Sequence, residues 1–273
     1  MNGCFGVYLN DQRDIKVFLY QICDILYDGS LLRGDEMSFA GCGQNRVIIF
    51  DFDDTLVKTT EIFDEVRAEF CQVIEGLGLS VPDLAELVDQ QDIENIRKAG
   101  GFYNHCFPKA LCQVYQYCCQ HHQKTVSSHW EKELEKMGWS VFFQGPRLME
   151  HAHEVLQHFG ARYPMILVTK GSPDSQTRRI QESGLEKYFQ QILIVSDKNE
   201  ASFKKIVTDL EINPGQSWSI GNSIKADINP SIAAGLKAVH FAGYSWHFEH
   251  AEPIGEFQRI ESLAELIRLI PLE

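Results

Sequence analysis

The 273-residue chain reads as an α/β protein, a doubly wound parallel sheet carrying a long helical insertion. Three observations predict this. Short apolar runs at 46–50, 165–169, 191–195, 217–221 and 238–241 have the composition of strands buried on both faces. Segments of helical period alternate with them, as a parallel sheet requires. The first run ends in Asp51, Asp53 and Asp54, which puts carboxylates where open α/β sheets bind ligands.

The elements follow in order. Ahead of the first strand, Ile15, Phe18, Leu19, Ile22 and Leu26 recur at helical spacing, with Asp14 placed to cap the helix and Gly29 to end it. Residues 1–45 are therefore expected to form a helical extension. The run Arg46-Val47-Ile48-Ile49-Phe50 is the first strand. If its extended geometry persists to Asp53, Asp51 and Asp53 leave one face while Phe52 points away. Two carboxylates so placed repel, which favours a cation or a shared proton between them.

About 110 residues then separate Thr55 from the next buried strand, far beyond an ordinary βα loop. Ile62, Val66, Phe70, Val73 and Leu77 form one helical stripe, and Leu84, Leu87 and Ile93 another. Pro108 suits the first turn of a third helix, with Leu111, Val114, Tyr115 and Cys118 following. Ser128 with Glu131 reads as a capping box. Pro146 is expected to open a helix containing Leu148, Ala152, Val155 and Phe159, closed by Gly160.

The second strand, Met165-Ile166-Leu167-Val168, ends in Thr169, Lys170 and Gly171; the third, Gln191–Val195, is followed by Lys198. Lys204 and Lys205 lie in the next helix with Phe203, Ile206 and Leu210. The fourth strand leads into Gly221-Asn222-Ser223, with Asp227 five residues after Asn222. Pro230 begins a helix that Gly235 ends, and Ala238–Phe241 is the fifth strand. The aromatic loop Tyr244, Trp246, His247, Phe248 and His250 is assigned to packing of the C-terminal segment or to a substrate pocket. Leu263, Leu266, Ile267 and Ile270 close the chain as an amphipathic helix.

These motifs, taken in order from about residue 46 to 241, resemble those of the haloacid dehalogenase-like hydrolase superfamily: Asp51-Phe52-Asp53-Asp54-Thr55, then Thr169, then Lys198, then Gly221-Asn222 with Asp227. The resemblance implies a Rossmann-like core at 46–58 and 146–273 and an α-helical cap domain at 59–145. It implies phosphoryl transfer through an aspartyl-phosphate. Asp51 is then the nucleophile, ionised at its reference pKa of about 3.9. Asp53 is the general acid and base. Thr169, Lys170 and Lys198 hold the phosphoryl oxygens. Mg²⁺ is held by Asp51, the Asp53 carbonyl, Asn222 and Asp227. Asn222 stands where the superfamily often has an acid, so one ligand charge is lost, which shifts the main metal role towards Asp227. Asp54 is read as a solvated bystander. Superfamily members that remove halide generally lack an acid at the position of Asp53, which favours a phosphatase here. A phosphomutase shares the whole set, and a non-catalytic binding protein on the same fold is the competing class.

Composition bounds the remainder. A net charge of −13 disfavours nucleic acid or an anionic membrane as partner and leaves a small phosphorylated substrate, approached through a metal and a lysine. Eight cysteines without a secretory signal or an apolar span read as reduced thiols of a cytoplasmic protein. Cys112, Cys118, Cys119, His121 and His122 fit neither common zinc spacing. His153 and His158 are five apart, roughly 140° around a helix, and do not face one metal. Substrate identity and oligomeric state are carried by no motif in the chain.

Overall fold

The computed structural model describes residues 46–243 and 251–272. The N-terminal helix around Ile15–Leu26 and the aromatic loop at 244–250 lie outside the described residues. The strands are β1 (Ile48–Phe50), β2 (Val57–Lys58), β3 (Arg147–Leu148), β4 (Met165–Lys170), β5 (Gln191–Val195), β6 (Trp218–Gly221), β7 (Lys237–Phe241) and β8 (Gln258–Ile260). The helices are α1 (Thr60–Gly76), α2 (Leu84–Ala99), α3 (Cys106–His121), α4 (Ser128–Ser140), α5 (Ala152–Gly160), α6 (Pro173–Ser183), α7 (Glu200–Asp209), α8 (Asn229–Ala233) and α9 (Leu266–Leu269).

Six strands form one sheet in the order β5-β4-β1-β6-β7-β8, and each neighbouring pair is parallel. The chain starts in the middle, builds outward through β4 and β5, then crosses to β6 on the other side of β1. The order therefore reverses at β1, and that reversal opens a crevice at its C-terminal end. Alternation along the strands explains the packing. Val47, Ile49, Ile166, Val168, Leu193 and Val195 share one face and pack on Phe203 and Ile206 of α7. Every side chain of β1 is buried, which is why the run is apolar at each position rather than alternating.

The chain divides into two compact units. The first takes its described residues from Met1–Val57, Leu148–Lys170 and Ser183–Glu273 and holds the six-stranded sheet. The second, Lys58–Arg147 with Gly171–Glu182, is helical. Its core is built from Phe70, Val88, Leu111, Val114, Tyr115 and Leu134. At α1 the buried stripe runs through Ile62, Val66, Phe70 and Ile74, while Val73 and Leu77 are only partly buried. Gly138 is buried where α4 meets α3, with room for no side chain. The five described cysteines, Cys71, Cys106, Cys112, Cys118 and Cys119, are free thiols of this unit.

Two local expectations are corrected, and one strand was not anticipated. Pro146 does not open a helix: it leads into β3, and the helix begins at Ala152. Proline's fixed φ suits an extended entry as well as a first helical turn. Ser128 is not a cap, because the N-cap of α4 is Ser127, whose side chain makes no capping bond. The polar strand β8 carries no apolar run, since two of its three residues are exposed. Among the described residues, no helix is long and apolar enough to cross a membrane.

Candidate functional site

The turn after β1 sets the site. The Phe52 carbonyl accepts from the amides of Thr55, Leu56 and Val57 at 3.4, 2.9 and 3.1 Å. Phe52 itself is wholly buried, so this tight turn is anchored from the inside while Asp51 and Asp53 emerge on the other side. Asp54 is corrected from bystander to structural corner. It is buried, it adopts a left-handed φ of 57°, and its amide donates to the Val57 carbonyl at 2.7 Å. Non-glycine residues visit that region at a cost of roughly 1–2 kcal/mol, asparagine and aspartate most readily.

Asp51 is 6 % exposed and Lys198, from the loop after β5, is also 6 % exposed. Lys198 Nζ donates to Asp51 Oδ1 and, at 2.8 Å, to Asp227 Oδ1. Thr55 Oγ1 donates to Asp51 Oδ2 at 2.7 Å. Asp227 is fixed further by the Ser223 amide on Oδ2 at 3.1 Å. Its backbone lies in a wide helical turn in which the Ser223 carbonyl accepts from both Asp227 and Ile228. Ser231 Oγ donates to the Asp227 carbonyl at 2.6 Å. Gly221 has no side chain because there is no room for one: a Cβ there would lie 2.3 Å from Asp227 Cγ. On the other flank, Thr169 at the end of β4 donates through Oγ1 to Asp53 Oδ2 at 3.4 Å. Asp51, Asp53, Thr169, Lys198 and Asp227 are thus brought together by three strand ends and a turn. Lys170 is the last residue of β4, paired with Val195 of β5. Asn222 directly follows β6, and its backbone carbonyl accepts from His240 Nε2 at 2.9 Å.

The electrostatics modify the expectation for Asp51. Burial pushes its carboxyl up to about 7; Lys198 opposes this, and the charges of Asp227 and Asp53 add to it. Burial alone would lower Lys198, but Asp227 and Asp51 reverse that and hold its ammonium well above the ordinary lysine range. Lys198 therefore remains a cation, sharing its charge between two acids. Sequence reasoning assigned no role to Thr55 or Ser223, although both lie within the quoted motifs. It also missed His240, for which a lone histidine in a strand provides no signal.

The donor set fits a hard divalent cation. Beside the Lys198 ammonium the groups that converge are oxygens, the ligand type such a cation takes, and like-charge repulsion among Asp51, Asp53 and Asp227 is present. Each carboxylate oxygen has two acceptor positions, so the bonds from Lys198, Thr55 and Ser223 leave capacity. Among the described residues, no group of three or more His, Cys, Asp or Glu side chains is by itself arranged as a metal site. The cation between Asp51 and Asp227 is Lys198, and a metal here would draw on backbone and amide oxygens as well.

Known proteins resemble this chain in sequence and in fold. A family model described as haloacid dehalogenase-like hydrolase matches residues 48–241. Human N-acylneuraminate-9-phosphatase is 20% identical over 204 residues, covering 72% of this chain and 82% of that protein. Glyceraldehyde 3-phosphate phosphatase of Pyrococcus abyssi is 24% identical over 237 residues, covering 84% and 94%. Among solved structures, a haloacid dehalogenase-like family hydrolase from Xanthomonas campestris superposes with a TM-score of 0.67 at 19% identity, covering 84% of this chain and 96% of that one. The L-2-haloacid dehalogenase of Xanthobacter autotrophicus superposes with a TM-score of 0.56 at 14% identity, covering 82% and 98%. The structural likenesses establish a shared fold; the site must decide the chemistry.

Proposed function

Because the chain belongs to the haloacid dehalogenase-like hydrolase family, we propose that it is a magnesium-dependent phosphatase that hydrolyses a small phosphorylated metabolite through an aspartyl-phosphate. The observation that carries this is the pairing of two acids with different surroundings. Asp51 is buried against Lys198, and Asp53 is partly open and bonded to Thr169. One is suited to attack and the other to proton transfer. Both named phosphatase relatives align over most of their length, which supports the same direction. Dehalogenase neighbours share the fold, but an acid at the position of Asp53 argues for phosphorus rather than carbon as the centre attacked. The free thiols support a cytoplasmic setting.

In this reading an Asp51 carboxylate oxygen forms a bond to phosphorus as the bond to the ester oxygen breaks. Asp53 gives its proton to that leaving oxygen. Asp53, now ionised, takes a proton from water as the water oxygen attacks phosphorus. The bond to Asp51 then breaks and inorganic phosphate departs. Lys198 and Thr169 bind the phosphoryl oxygens, with Lys170 as an additional cation, and Asp227 orients Lys198. Asp51, the Asp53 carbonyl, Asn222 and Asp227 would hold Mg²⁺. Bound Mg²⁺ supplies the positive charge that keeps Asp51 ionised and offsets repulsion between carboxylate and phosphate.

The test is hydrolysis of an aryl phosphate with and without Mg²⁺, wild type beside Asp51→Asn, together with beryllofluoride binding. Magnesium-dependent turnover and analogue binding, both lost in Asp51→Asn, are expected. Analogue binding without turnover on any phosphate ester points to a mutase. Absence of both from folded wild type points to a binding protein.

A further inference from the structure

We propose that the capping box at the start of α7, Asn199 with Ser202, positions Lys198 by holding the backbone from which the lysine reaches both Asp51 and Asp227. Its effect on turnover rests on the phosphatase reading above; its effect on the lysine does not.

Lys198 is a buried side chain in an exposed loop. Its side chain is 4 % exposed, while Ser196, Asp197, Asn199 and Glu200 around it are all exposed. β5 stops at Val195, which pairs with Lys170, so the sheet does not itself hold the lysine. On the far side the chain is held by α7. Asn199 Oδ1 accepts from the Ser202 amide at 3.0 Å, and the Asn199 amide donates to Ser202 Oγ at 2.9 Å. That amide belongs to the peptide bond that follows Lys198. The Ser202 hydroxyl gives its own proton to the Asn199 carbonyl at 2.8 Å, so it both donates and accepts. Asn199 Nδ2 donates to Asp197 Oδ2 at 2.9 Å, and the asparagine therefore bonds to residues on both sides of the lysine. Ser202 is buried, and Phe203 beside it packs in one core with Ile49 and Val195. The box is thus tied to the sheet whose central strand leads into Asp51.

The lysine depends on this support because one ammonium serves two acids on separate segments. Asp51 follows β1, and Asp227 lies in the turn after β6. Nζ donates to one oxygen of each. A lysine stem is flexible in water, but this one is buried, and close packing restricts its rotamers. A displacement of the Lys198 backbone is therefore passed on to Nζ, and one of the two bonds stretches. Misplacing a catalytic group by about 1 Å costs up to about 100-fold in rate. An N-cap elsewhere contributes stability alone; here the capping residue is the neighbour of the cation.

The experiment compares Asn199→Ala, which removes the capping oxygen, with Asn199→Ser, which restores one. Ser262→Ala is the control. Ser262 caps the turn that leads into α9 in the same unit, accepting from the Ala264 amide at 3.3 Å. Acetylation of Lys198 by acetic anhydride in the full chain, read by mass spectrometry, needs no turnover. Aryl-phosphate kcat at saturating Mg²⁺ is the second readout, and urea unfolding is followed in parallel. Asn199→Ala is expected to label Lys198 about fivefold faster than wild type and to lower kcat about tenfold. Asn199→Ser is expected to return both towards wild type. Ser262→Ala is expected to lose stability with labelling and kcat unchanged. Labelling or kcat at the wild-type level in folded Asn199→Ala overturns the proposal, as does an Asn199→Ser protein that labels as fast as Asn199→Ala. Equally fast labelling in Ser262→Ala also overturns it, since any loss of stability would then suffice. Labelling that changes as expected in a protein without turnover on any phosphate ester upholds the positioning of Lys198 and overturns the phosphatase reading.

Discussion

At the scale of single residues, the site is governed by what there is no room for. A Cβ on Gly221 would meet Asp227 at Cγ, Cβ and Oδ2, at 2.3, 2.5 and 2.5 Å. None of these is the loose end of a long side chain, and the Asp227 backbone is held by Ser223 and Ser231. Gly221→Ala is therefore expected to turn Asp227 away from Lys198. Overpacking of this kind costs about 1–3 kcal/mol, measurable by urea unfolding. Loss of a fixed electrostatic partner is expected to lower aryl-phosphate kcat by about 100-fold. A Gly221→Ala protein as stable and active as wild type would show that Asp227 has another way to sit. Asp51, Asp53, Thr169 and Lys198 were legible in the sequence because they lie at or just past strand ends, and strand ends are marked by where apolar runs stop; Asp227 was legible by its spacing from the Gly221-Asn222 pair that closes β6. Asp54 was not. Its burial and left-handed φ depend on a turn wound around the Phe52 carbonyl, and no residue type announces that turn. His240 was hidden for a related reason: its partner is a backbone carbonyl 18 residues away, brought near only by strand register.

At the scale of elements, the close approach of α3 and α4 has an opposite counterpart on α1. Alanine is favoured over glycine inside a helix by about 1 kcal/mol. At Gly138 that gain is outweighed, because a Cβ would lie 2.4 Å from Pro108 Cα, a backbone atom that cannot step aside. At Gly76, the last residue of α1, nothing lies within 4 Å. Gly138→Ala is expected to destabilise the helical unit by about 1–2 kcal/mol net, while Gly76→Ala is expected to be neutral or to stabilise it by up to about 1 kcal/mol. Urea unfolding of the two variants checks the difference in sign. Elements were legible in proportion to how much apolar surface they bury. β1, β4, β5, β6 and β7 were found because they lie inside a sheet covered by helices. β2 and β3 are two residues each, and β8 has a single buried residue, so hydrogen bonding defines them and sequence pattern does not. Ser127 against Ser128 at α4 is the one-residue ambiguity that adjacent serines create.

At the scale of the whole molecule, one buried acid makes a share of the stability depend on pH in a direction opposite to that of ordinary ion-paired acids. The chain carries a net charge of −13, and part of that excess is buried in the helical unit. Asp89 on α2 pairs with Arg67 of α1 at 2.5 Å, which satisfies one acid. Asp92, one turn further along α2, has a buried Oδ1 that meets no protein donor. Burial pushes its carboxyl up to about 7; Asp89 adds to this and Arg67 opposes it. Cys106, at the start of α3, is also within electrostatic reach of Asp92. In the unfolded chain the same carboxyl titrates near its ordinary value of 3.8. Between those two values the folded state holds a proton that the unfolded state has released. The Asp92 share of the stability therefore falls as pH rises from about 4 to about 7 and is level above that. Asp51, raised to about 7 by burial first, contributes with the same sign in the absence of a metal. Comparison with Asp92→Asn isolates the Asp92 share, because asparagine keeps the shape and cannot ionise. At pH 5 the variant is expected to be more stable by about 1.5 kcal/mol. At pH 8 that difference is expected to grow to about 4 kcal/mol. A difference that is the same at both pH values would mean that Asp92 titrates as an ordinary exposed acid and that the polar face of α2 is open to water.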